Sequence, residues 1–137
     1  MYKRDHTLRT LVAAFLIAVL SAVFSFSAAE EHFSVKEYND FHEVLHALQH
    51  EALPKKDYKT IRDRAAELVL LGEAIVKLNV PVGVKEPAEY SKELAVFRAA
   101  LEQYKTDAAG ASDEQLEKSY LAVHDSFEML AAMLPRK

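Results

Sequence analysis

The chain has 137 residues, a formal net charge of −4 and no cysteine. The absence of thiols excludes disulfides, thiolate metal sites, covalently attached c-type haem and lipidation at a cleavage site. The length predicts one domain, and the acidic balance argues against nucleic acid as a partner and favours cations.

The first 29 residues predict a signal peptide. Basic residues precede an apolar stretch at residues 11–26, and the small triplet Ser27-Ala28-Ala29 comes directly before an acidic residue. This order of basic, apolar and small residues is typical of an export signal. We expect cleavage after Ala29, which leaves residues 30–137 as one domain in the periplasm or outside the cell, free of the membrane.

An uncleaved membrane anchor is the alternative for this segment, since residues 11–29 approach the roughly 20 residues that span a bilayer. Two serines in the apolar stretch and the alanine pair at its end favour cleavage. Cleavage lowers the basic residues from 17 to 14 and the acidic residues from 21 to 20, so the exported domain carries a charge of −6.

Proline and glycine divide the exported domain into four segments. Pro54 ends the first, Pro81 ends the second, Pro87 begins the third, Gly110 separates the third from the fourth, and Pro135 ends the fourth. Apolar residues recur in each segment at alternating spacings of three and four, which predicts amphipathic helices. With short connections, these segments predict an all-α fold, an antiparallel up-down-up-down four-helix bundle.

One apolar seam per helix supplies the predicted core. Ser34 and Ser112 are each followed three residues later by Glu or Gln, which predicts capping boxes at the starts of the first and last helices. The expected core residues, in chain order, are Tyr38, Phe41, Leu45, Leu48, Ala52, Ile61, Ala65, Leu68, Gly72, Ile75, Tyr90, Leu94, Phe97, Leu101, Tyr104, Leu116, Tyr120, Val123, Phe127, Leu130 and Leu134.

Three histidines follow one another at four-residue steps in the first helix: His42, His46 and His50. Four residues turn an α-helix by about 40° beyond a full turn, so the imidazoles form a winding ladder on one flank of the seam. His42 and His50 are about 12 Å apart along the helix axis. One ion can therefore take His42 with His46, or His46 with His50.

His124 lies on the corresponding flank of the last helix, and Glu128 follows it by one turn. Since the first and last helices are predicted to be antiparallel neighbours, these flanks face each other if the hand of the bundle allows. Two imidazoles of one helix, one of the other and a carboxylate suit zinc, and also copper(II) or nickel(II). The sequence therefore predicts a metal site, with zinc or copper preferred, from His42, His46, His50, His124 and Glu128.

The alternative is that these histidines are boundary residues with one solvated nitrogen each. The exported domain is then a metal-free structural or protein-interaction bundle, whose acidic surface contacts a protein partner or a second copy in a homodimer.

An exported four-helix bundle with Val123-His124-Asp125-Ser126-Phe127-Glu128 in its last helix resembles the c-prime cytochromes and the related b-type bundle cytochromes. That resemblance implies haem ligation by His124. The covalent motif Cys-x-x-Cys-His is absent, and His42 or Tyr38 stands where the b-type relatives carry a ligating methionine. Non-covalent haem is accordingly the third and least favoured reading of the site.

Two segments, residues 41–51 and 121–128, are also similar to exported, largely uncharacterised helical-bundle proteins. That similarity implies a metal or redox context without naming a reaction. No nucleophile in a recognisable context, phosphate-binding glycine loop or His-Glu-x-x-His motif occurs, so we expect no enzymatic activity. The sequence thus predicts a periplasmic or secreted protein that buffers or senses a divalent transition metal.

Overall fold

The structure is a computed structural model that describes residues 32–136, so the predicted signal peptide lies outside the described residues. The described part contains α-helices and no strand, which confirms the all-α prediction. No helix within it is long and apolar enough to cross a membrane. The helices are α1 (Lys36–Ala47), α2 (Tyr58–Asp63), α3 (Ala65–Val76), α4 (Pro87–Gly110) and α5 (Asp113–Ala132).

The second predicted helix is in fact two helices, α2 and α3, which meet at Arg64. Arg64 leaves the helical region, with φ −95° and ψ 2°. One turn earlier, the buried Tyr104 hydroxyl donates to the Ile61 carbonyl oxygen at 2.9 Å. A regular α-helix would pair that carbonyl with the N–H of Ala65. The tyrosine hydroxyl therefore bonds a backbone carbonyl of the helix at the place where the helix breaks.

The first predicted helix also changes its winding before Pro54. After α1 the chain continues as a π-helical turn, Leu48–Ala52, and then as a 3₁₀ turn, Leu53–Lys55. The Tyr120 hydroxyl donates to the Leu45 carbonyl oxygen at 3.1 Å, next to the point where the winding changes. Proline contributes as well, because its ring clashes with the carbonyl four residues earlier in a regular α-helix.

The two predicted capping boxes have different outcomes. The Ser112 hydroxyl accepts a hydrogen bond from the N–H of Gln115 at 3.2 Å, so the cap of α5 is confirmed. The prediction for Ser34 is wrong, since α1 starts one residue later with no side-chain cap at its N-cap residue. Asn39 shapes this end instead, because its amide oxygen accepts from the Phe33 N–H at 2.7 Å and its amide nitrogen donates to the Phe33 carbonyl at 3.0 Å.

The predicted core is confirmed almost completely. Every seam residue is buried except Leu94, which is half-buried. Three phenylalanine rings meet in the interior: the centroids are 4.8 Å apart for Phe41 and Phe127, 5.4 Å for Phe41 and Phe97, and 6.4 Å for Phe97 and Phe127. Their contacts join α1, α4 and α5.

Small residues set one of the helix contacts. A Cβ atom added to Gly72 would lie 2.6 Å from Cδ1 of Leu101, so glycine is what allows α3 to approach α4 at this point. By contrast, α1 and α5 meet through large side chains. Tyr38 contacts Phe127 near the start of α1, and Leu45 is bonded by Tyr120 further along, so the two helices run in opposite directions where they meet.

A hydrogen bond between two buried tyrosines connects α1 with α4. The hydroxyl oxygens of Tyr38 and Tyr90 are 2.6 Å apart, and both side chains are fully buried. Each hydroxyl therefore provides the hydrogen-bond partner of the other, and neither is left unsatisfied inside the core.

We predict that Tyr38→Phe and Tyr90→Phe each destabilise the fold by about 1–3 kcal/mol, because each strands the other hydroxyl in the apolar interior. The double variant removes both hydroxyls and should be more stable than the sum of the single effects implies. Urea unfolding of the four proteins measures this cycle. Additive destabilisation in the double variant would show that the two hydroxyls do not depend on each other.

Candidate metal-binding face

The histidine ladder lies on one flank of α1 and of the π-helical turn that continues it. His42 is half-buried, whereas His46 and His50 are exposed. The ring centroids of His42 and His46 are 5.6 Å apart, and those of His46 and His50 are 4.3 Å apart. The structure therefore brings successive members of the ladder together, and His46 belongs to both contacts.

The π-helical turn affects the second step of the ladder. A π-helix has more residues per turn than an α-helix, so four residues rotate the chain by less than they would in an α-helix. The step from His46 to His50 enters this turn, while the step from His42 to His46 lies within α1. The ladder predicted from the sequence has two α-helical steps and does not include this turn, for which Pro54 is the available signal.

The spacing of these rings suits a shared metal ion. With a metal–nitrogen distance of about 2.1 Å and tetrahedral angles, the ring centroids of two histidines on one zinc ion lie about 5 Å apart. The observed distances, 4.3 Å and 5.6 Å, lie on either side of this value. Both ring spacings are therefore close to the one that a shared ion requires.

His42 is held by aromatic neighbours in the interface between α1 and α5. Its ring meets Phe33 edge-on, with centroids 5.4 Å apart, and stacks on Phe127 at 6.1 Å with an interplanar angle of 21°. Rotating this ring toward solvent would give up those contacts. The exposed residues His46 and His50, which we call the His46–His50 pair, can adjust without that loss.

The face of α5 that carries His124 meets the start of α2 through Glu117. Glu117, two turns earlier on the same face, accepts hydrogen bonds from Lys56 at 3.2 Å and from Tyr58, both of which follow the end of α1. The Nδ1 atom of His124 is 3.1 Å from the Oδ1 atom of Asp125, and a quarter of the His124 side chain is exposed.

Glu128 is exposed and lies at the other end of α1 from the His46–His50 pair. It lines a surface cleft of about 650 Å³ together with Phe33 and Ser34, which precede α1. Among residues 32–136, no three His, Cys, Asp or Glu side chains are grouped so as to hold one metal ion. The described residues thus provide two-histidine contacts rather than the predicted set of three histidines and a carboxylate.

The π-helical turn also contains a buried hydrogen-bond acceptor that the sequence did not predict. The Oε1 atom of Gln49 is buried and has no hydrogen-bond partner in the part of the chain that the structure describes. An unsatisfied buried polar atom costs about 1–3 kcal/mol. π-Helical turns and unsatisfied polar groups are both frequent at functional sites, and here they occur beside His50.

Comparison of the chain with protein-family models, with curated proteins and with solved structures gave no match. The resemblance to bundle cytochromes thus rests on the residues quoted for it.

The Glu117 contacts predict a dependence of stability on pH. Hydrogen bonds from Tyr58 and Lys56 lower the pKa of Glu117 below its ordinary value of 4.5. Since the folded-state pKa is depressed, the contacts stabilise the fold above pH 4.5, and this contribution is lost as the pH falls through the folded-state pKa. Glu117→Gln should therefore lower the urea midpoint at neutral pH and have a decreasing effect in acid.

Glu102→Gln, at an exposed position of α4, is the matched control for removal of one surface carboxylate. A difference between wild type and Glu117→Gln that stays constant from neutral to acid pH would contradict the role assigned to the ionised Glu117.

Proposed function

We propose that this protein is an exported antiparallel four-helix bundle that binds a divalent transition metal ion, zinc or copper, through the His46–His50 pair. The observation that carries the proposal is the contact of two exposed imidazoles, with ring centroids 4.3 Å apart. Imidazole nitrogen is a good ligand for zinc, copper and nickel. A site of this kind, open to solvent, suits buffering or sensing of the ion.

The bundle and its export are proposed on separate grounds. The opposite order of the contacts between α1 and α5 supports antiparallel helices, with α2 and α3 together serving as the second helix. Export is supported by the order of residues in the predicted signal peptide. Its removal would leave a domain with a charge of −6, which attracts cations to the surface.

The experiment is calorimetric titration of residues 30–137 with zinc and with copper, for wild type, His46→Ala, His50→Ala and His124→Ala. We expect His46→Ala and His50→Ala to weaken binding by about tenfold or more, since each removes a direct ligand. Binding should also weaken below about pH 6, because protonated imidazole cannot ligate a metal. Wild-type binding no tighter than that of these two variants would refute the proposal.

His124→Ala distinguishes the His46–His50 pair from the larger site predicted from sequence. Binding within about twofold of wild type places the ion on the pair, because a lost direct ligand costs more than that. A loss as large as that of His46→Ala would instead place His124 on the ion and restore the larger set with Glu128.

A haem group is less compatible with the observed packing than a metal ion. Phe41, Phe97 and Phe127 fill the space between α1, α4 and α5, so a porphyrin between these helices would have to displace them. The visible spectrum of the purified protein tests this alternative directly, since bound haem gives a Soret band.

Metal-free protein binding is the second candidate function, and it is favoured by exposed apolar side chains. Leu70 on α3 is 65% exposed and Val96 on α4 is 54% exposed, so neither belongs to the helix that carries the histidine ladder. Wild type that binds neither metal ion in the titration, and shows no Soret band, would leave this function as the better supported one.

A further inference from the structure

The His46–His50 pair supplies only part of a coordination sphere. Zinc in proteins takes four ligands in a tetrahedral arrangement, and the pair provides two. Within residues 32–136 no third His, Cys, Asp or Glu side chain is grouped with them. If the proposed function holds, an ion on the pair keeps two coordination positions that face solvent.

His42 and His124, the other histidines of the predicted site, are poorly placed to fill those positions. His42 makes its ladder contact with His46 rather than with His50, and its ring packs between Phe33 and Phe127. His124 belongs to α5 and contacts Asp125. Bringing either ring onto an ion held by His46 and His50 would require it to leave these contacts.

From these observations we propose that one divalent metal ion joins two copies of this chain, each contributing His46 and His50. Two identical pairs related by a twofold axis through the ion give four imidazole ligands, and twofold symmetry closes the assembly at two copies. The inference rests on the proposed function, and it adds that a second copy completes the site.

The contact should also depend on the metal ion. The large exposed apolar side chains of the described residues are Leu70, Val80, Val82, Val96 and Met129, none of which lies on α1. Without such a patch, the histidine face has little apolar area to hold two acidic chains together. Removal of the ion should thus return the protein to monomers.

Light scattering coupled to size exclusion, with zinc and then with a chelator, tests this inference on residues 30–137. We expect the mass to double with zinc, to halve again with chelator, and calorimetry to give one zinc ion per two chains. His50→Ala and His50→Gln should stay monomeric at zinc concentrations that dimerise wild type, with helix content checked by circular dichroism. His32→Ala, an exposed histidine outside the ladder, is the matched control and should dimerise like wild type.

The possible failures are distinguishable. One zinc ion per chain with the mass of a monomer overturns the shared site and leaves the proposed function intact. Absence of binding to both zinc and copper overturns both the shared site and the proposed function. A doubled mass that persists with chelator, or in the folded His50 variants, shows a dimer built on another surface and also overturns the shared site.

Discussion

A hydroxyl group buried in an apolar core must find a hydrogen-bond partner, and the helix arrangement depends on how the buried tyrosines meet this requirement. Tyr38 and Tyr90 pair with each other, while Tyr104 and Tyr120 donate to main-chain carbonyls of other helices. Burial raises the pKa of Tyr38, Tyr104 and Tyr120, which keeps these hydroxyls protonated as donors. Because a hydrogen bond is directional, each one sets the rotation of two helices as well as their distance.

Two of these bonds coincide with the irregular places in the helices. Tyr104 bonds Ile61 just before the break at Arg64, and Tyr120 bonds Leu45 just before the π-helical turn. A carbonyl that accepts a hydrogen bond from a tyrosine loses less free energy when it no longer pairs with a backbone N–H of its own helix. The nearby guanidinium of Arg62 donates to carbonyls at the end of α4, at 2.7 Å for Ala111, so unpaired main-chain groups are satisfied there too.

A structural feature could be predicted from the sequence when the residues that determine it are close together along the chain. The buried seams were predictable because helical periodicity is local, and only Leu94 proved half-buried. The break at Arg64 and the π-helical turn were not predictable, because each accompanies a hydrogen bond between residues far apart in sequence. The separation is 43 positions for the bond from Tyr104 to Ile61 and 75 positions for the bond from Tyr120 to Leu45. The histidine ladder was visible in the sequence, but its closest contact lies at the turn. Glu128 was included in the predicted metal site because it follows His124 by one helical turn. That spacing does not reveal that its side chain lines a cleft beside Phe33.

The candidate metal site and the core are connected through this one turn. His46 belongs to α1 and His50 to the π-helical turn, so an ion held by both would span the change in winding. Such an ion would favour the backbone geometry that brings the two rings to 4.3 Å. The Tyr120 bond to Leu45 lies at the same junction. Ligands that bind one backbone geometry more tightly than another stabilise that geometry, so the ion and the buried tyrosine would reinforce each other across α1.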